Sequence, residues 1–63
     1  MFQISIEHSP TRAAETIYKA SRAAAETKFR QMCRIHAFAR ITLSNLAEGV
    51  ILMERPGLKD NLI

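Results

Sequence analysis

Between Thr11 and Glu48 the chain contains neither glycine nor proline, the residues that most readily interrupt a helix. This breaker-free run covers 38 of the 63 residues and constrains the fold more than any other feature. Wound as one helix at 1.5 Å per residue, it would span about 57 Å, too long for a compact monomer of this size. The expectation is a mainly α protein. The segment either bends once into a helical hairpin or runs straight within an oligomer.

Helical winding separates the run into two parts. In the first, Arg12, Glu15, Lys19, Arg22 and Glu26 fall on one arc, opposite Ala13, Ile17, Ala20 and Ala24. This predicts an Ala-rich amphipathic helix over residues 10–26, with Ser9 as N-cap and Pro10 at the first helical position. In the second, Ala25, Phe29, Met32, His36, Ala39, Leu43, Leu46, Val50 and Met53 recur in steps of four and three. Such a heptad-like seam, widened by Cys33, Ile35 and Phe38, predicts an amphipathic helix over residues 28–48. The bend falls near Glu26 to Lys28, where Thr27 is a candidate cap, and Gly49 is suited to the left-handed conformation at a helix stop.

The flanks differ. "FQISIE" (residues 2–7) sets Phe2, Ile4 and Ile6 against Gln3, Ser5 and Glu7, the period-two pattern of a half-buried strand. "VILMER" (residues 50–55) is an apolar run between Gly49 and Pro56, and is a candidate short C-terminal strand able to pair with the first. A tail over residues 56–63 carries Leu58, Leu62 and Ile63, enough to dock on a surface.

Composition matters because the core must be small. A single domain over residues 1–63 buries only about 60% of its unfolded surface, so such chains usually add disulfides, a metal or partner subunits. Cys33 is the only cysteine, which closes the intrachain disulfide route. Two histidines and one cysteine make a poor structural zinc set. With 48% hydrophobic residues, the remaining expectation is a homo-oligomer, at least a dimer, or a complex with a larger partner. No apolar run reaches transmembrane length, and the N-terminus lacks a secretion-signal pattern, so the expected location is the cytoplasm with no membrane association. A net charge of +3 permits nucleic-acid contact without demanding it.

Candidate chemistry centres on Cys33 and His36, three residues apart. They could clamp a metal, or the imidazole could activate the thiolate. Yet His36 lies on the apolar seam and Cys33 on its edge, where cysteines behave as small hydrophobes. No metal site, cofactor or catalytic residue is therefore expected. Phe29, Met32, His36, Phe38, Ala39, Leu43, Leu46 and Val50 form the expected oligomer or partner interface, with His36 as the polar residue that sets register and responds to pH. His8 reads as a solvated turn histidine. Arg30, Arg34 and Arg40 are candidate electrostatic contacts in a stretch free of acidic residues from Thr27 to Ala47.

A strand followed by helices in a basic chain of this length superficially resembles the ribbon–helix–helix repressors, whose paired N-terminal strands read the major groove. The resemblance implies that Gln3, Ser5 and Glu7 face DNA, although Glu7 would repel phosphate and no glycine turn separates two helices. "ITLSNLAEGV" faintly resembles a helix-turn-helix opening, but no recognition helix follows. Neither motif assigns a family. The leading functional expectation is a non-enzymatic regulator that binds another protein, such as a transcription factor, through an apolar helical face. Phage- or plasmid-encoded inhibitors and antirepressors are of this type. The alternative is a dimeric DNA-binding transcriptional regulator of ribbon–helix–helix-like type.

Overall fold

The computed structural model describes residues 1–9 and 11–57. It contains four strands and one helix: β1 (Phe2–Glu7), β2 (Glu15–Lys19), α1 (Arg22–Ile35), β3 (Arg40–Asn45) and β4 (Val50–Arg55). The strands form one antiparallel sheet in the order β2-β1-β3-β4. Strands β2 and β3 flank β1 and run parallel to each other, and α1 carries the chain from one side of β1 to the other. The fold is a two-layer α/β sandwich with one face of the sheet covered.

The mainly α expectation is thus overturned. Residues 15–19 form a strand rather than part of a helix over 10–26, and the expected helix over 28–48 ends at Ile35 and gives way to β3. The reason lies in the residues themselves. Thr16, Ile17 and Tyr18 are consecutive β-formers, and Ile41-Thr42-Leu43-Ser44 alternates apolar with hydroxyl side chains. Positions four apart share a face in both a helix and a strand, so the step from Ala39 to Leu43 fits either element. Chain reversal here needs no glycine. Ser21 caps α1 with its hydroxyl, which accepts from the Ala24 N–H at 3.1 Å. Ser9 caps no helix: Arg12 N–H donates to its carbonyl at 3.3 Å in a turn, and Pro10 lies outside the described residues. Thr27 sits inside α1 and bonds back to the Ala23 carbonyl at 3.0 Å.

The core forms where α1 crosses the sheet. Ile4 and Ile6 of β1 and Ile41 and Leu43 of β3 are buried beneath Ala25, Phe29 and Met32 of α1, with Ala39 completing the cluster. The register explains the selection: Ile4 lies between Ile17 and Leu43, and Ile6 between Glu15 and Ile41, so alternate residues share the helix-covered face. Burial of each of these large aliphatic side chains contributes on the order of 1.5–3 kcal/mol. Gln3, Ser5, Thr42 and Ser44 occupy the opposite, uncovered face.

Gly49 does adopt the left-handed conformation, with φ 68°, but it closes a β3–β4 hairpin rather than a helix. Its N–H donates to the Asn45 carbonyl at 2.8 Å, while the Asn45 side chain accepts from Ala47 N–H at 3.1 Å and donates to Glu48 Oε1 at 2.7 Å. A register shift between Leu43 and Ser44 leaves Leu52 without a cross-strand partner. "VILMER" pairs with β3, not with β1. Of the expected tail, residues 58–63 lie outside the described residues.

Candidate functional site

Strand β1 ends, β2 begins and α1 stops at the same end of the sheet. Three polar side chains meet there: His8 just after β1, Glu15 as the first residue of β2, and His36 as the C-cap of α1. Antiparallel pairing of Ile6 with Glu15 brings the His8 loop back over β2, and α1 delivers His36 from above. His8 Nε2 donates to Glu15 Oε2 at 2.5 Å. The His8 and His36 rings meet edge to face, with centroids 4.8 Å apart and planes at 78°. One donor atom from each of the three residues lies within 4.8 Å of the others. The hydrogen bond from His8 holds the Glu15 carboxyl below its ordinary value. Partial desolvation opposes that shift, and the charges of His8, His36 and Arg12 assist it.

Beside this cluster the end of α1 is held from β4. The Arg55 guanidinium donates to the carbonyls of Cys33 at 2.6 Å, Ala39 at 2.7 Å, and His36. These include acceptors that a helix C-terminus leaves unpaired, so one side chain satisfies several orphan groups at once. Ala39 and Arg55 thereby fix the loop that positions His36. Gly57 packs under the same loop, where an added Cβ would approach the Phe38 carbonyl oxygen to 3.1 Å.

The expected interface residues are dispersed. Phe29, Met32, Ala39 and Leu43 are consumed by the protein's own core, so the apolar helical face is already covered. Phe38 is 69% exposed near the His8 end, whereas Leu46 and Val50, 45% and 43% exposed, sit at the opposite end beside Ile51, which is 63% exposed. Cys33 packs against the core and does not belong to the histidine cluster. Arg30 and Arg34 are exposed on α1, where Glu26 pairs with Arg22 at 2.8 Å and with Arg30 at 3.5 Å. Arg40 lies apart from them on the sheet, 2.8 Å from Glu54.

The role of Glu15 escaped the sequence reading because it was placed on a helix with Lys19; the two stand instead at the opposite ends of β2. The signal that would have found it is the β-rich triplet Thr16-Ile17-Tyr18, which implies a return strand after His8. Among the described residues, no helix is long and apolar enough to cross a membrane. Comparison with protein families, curated proteins and solved structures finds no match to this chain.

Proposed function

We propose that this protein is a small non-enzymatic regulator that binds another protein, and that its docking element is the outer edge of β4. The supporting observation is the state of that edge. Among the described residues no strand lies beyond β4, so its outward backbone groups are available for strand addition. Strand edges are commonly guarded by lysine, proline or outward charge. Here "VILMER" has neither lysine nor proline, Val50 and Ile51 stand exposed, and both of its charges turn to the protein itself: Glu54 to Arg40, and Arg55 to the end of α1. The apolar first half of β4, led by the β-branched Val50 and Ile51, suits an extended apolar segment of a partner protein.

The ribbon–helix–helix arrangement does not fit this topology. β1 has β2 on one side and β3 on the other, leaving it no edge for a two-fold mate, and among the described residues only one helix follows. A basic helix surface at Arg30 and Arg34 still favours nucleic acid as the second reading, with phosphate contacts from α1.

Affinity capture with matched variants separates the two. A protein retained by the wild type, lost with Ile51→Lys and kept by Arg30→Ala plus Arg34→Ala supports edge docking, with slowed amide exchange along β4 in the complex. Recovery of nucleic acid that is lost in the arginine variant and falls steeply with salt would sink it. Sedimentation of the free protein tests the expected homo-oligomer.

A further inference from the structure

We propose that His8, Glu15 and His36 form a binding site for a divalent transition-metal ion, with zinc as the best match. This inference is independent of the β4 edge. Two imidazoles and one carboxylate are a donor set suited to zinc, and three protein ligands leave a fourth position for water. The geometry is close to that required. Zinc bonds of about 2.0–2.2 Å place tetrahedral donors roughly 3.3 Å apart. The present atoms lie within 4.8 Å of one another, and the tightest contact, His8 Nε2 to Glu15 Oε2, is 2.5 Å. On that tetrahedral spacing the tightest contact would open by under ~1 Å and the others would close by at most about 1.5 Å.

A simple ion pair between His8 and Glu15 would not account for the second imidazole. His36 is half-buried, stands edge-on to His8, and its ring nitrogens have no hydrogen-bond partner among the described residues. Half-buried polar rings usually find a partner. An ion between the three groups would take the place of the proton that His8 Nε2 now shares with Glu15, leaving the ring proton of His8 on Nδ1. The Glu15 side chain is 57% exposed, so ion and water reach the site from solvent. Two cations set the limit on affinity: Arg12, whose charge reaches Glu15, and Arg55, which grips the His36 carbonyl.

The three ligands come from the β1–β2 loop, the start of β2 and the end of α1. A bound ion therefore ties these elements together, and binding to the folded state alone adds stability by mass action. The role assigned is a structural staple.

The test uses the full chain, freed of any histidine tag and stripped with chelator, titrated with Co²⁺ and then displaced by Zn²⁺. The expected result is micromolar binding, visible bands of four-coordinate cobalt, and a Tm raised by ~10 °C or more at a hundredfold excess over Kd. His36→Gln and Glu15→Gln should each weaken binding at least tenfold, and Cys33→Ser should leave it unchanged. His8→Gln serves in place of His36→Gln if the latter loses its circular dichroism spectrum. Absence of cobalt bands up to millimolar ion, bands that persist in the histidine variants, or bands lost in Cys33→Ser would each overturn the proposal.

Discussion

The two edges of the sheet are built in opposite ways. β2 is five residues long, begins with Glu15 and ends with Lys19, and its Glu15 end is tied to His8. β4 is six residues long and opens with four apolar residues; both of its charges are spent within the protein. A strand carrying charge at both ends resists extension by another strand, whereas an exposed apolar run along an edge favours it. The difference lies in where the charge sits: β2 carries it at both ends, whereas β4 confines it to its last two residues and leaves Val50 and Ile51 exposed with no charge beside them in the strand.

The comparison can be broken most severely at Arg55. Arg55→Ala removes the donor for three carbonyls in a partly buried setting, and is expected to cost about 3 kcal/mol in urea unfolding. Arg55→Lys should recover less than half of that, because an ammonium cannot reproduce the planar fork. Glu54→Gln, one residue away but in a surface pair, should cost at most ~0.5 kcal/mol. Gly57→Ala probes the same corner by crowding the Phe38 carbonyl, and is expected to cost about 1–2 kcal/mol.

Smaller effects sharpen the contrast in binding rather than stability. Ile51→Lys on β4 and Tyr18→Lys on β2 both place lysine at an exposed edge position, and each should change stability by less than ~0.5 kcal/mol. Only the former should abolish partner capture. The smallest effect lies at the β2 tie. The Glu15 carboxyl is held below its ordinary value of 4.5, so its ionised form contributes stability above that pH. That contribution is lost as pH falls through the lowered folded value. Thermal melts of wild type and Glu15→Gln should therefore differ at pH 6, draw together as pH falls from 4.5 through the lowered folded value, and differ less in high salt.

What the sequence revealed, and what it concealed, follows from periodicity. β1 was legible because strict alternation over six residues fits no helix, and β4 because Gly49 and Pro56 bracket a short apolar run. The left-handed Gly49 was legible as a conformation but not as a hairpin, since the same φ serves a helix stop and a tight turn; here its N–H bonds the Asn45 carbonyl while the Asn45 side chain braces Ala47 and Glu48. β2 and β3 were hidden in a breaker-free segment whose apolar residues fall at spacings common to helix and strand. Ala25, Phe29 and Met32 do lie on one helix, but Ala39 and Leu43 continue the same numerical series beyond its end, into a loop and a strand. Ala25, Phe29, Met32, Ala39 and Leu43 of the seam are the interior, whereas Leu46 and Val50 stand exposed at the far end of the sheet. The histidine cluster was illegible for a different reason: its members are far apart in sequence, and only the β1–β2 reversal and the return of α1 unite them.

The grip of Arg55 on the end of α1 also orders events in time. During synthesis α1 emerges some twenty residues before the side chain that satisfies its last carbonyls. Until β4 follows, the carbonyls of Cys33 and Ala39 lack the guanidinium that bonds them, and β3 lacks its outer neighbour. The nascent chain therefore holds an unfinished sheet until almost all of the described residues are available, and it completes the helix end and the sheet edge in one step.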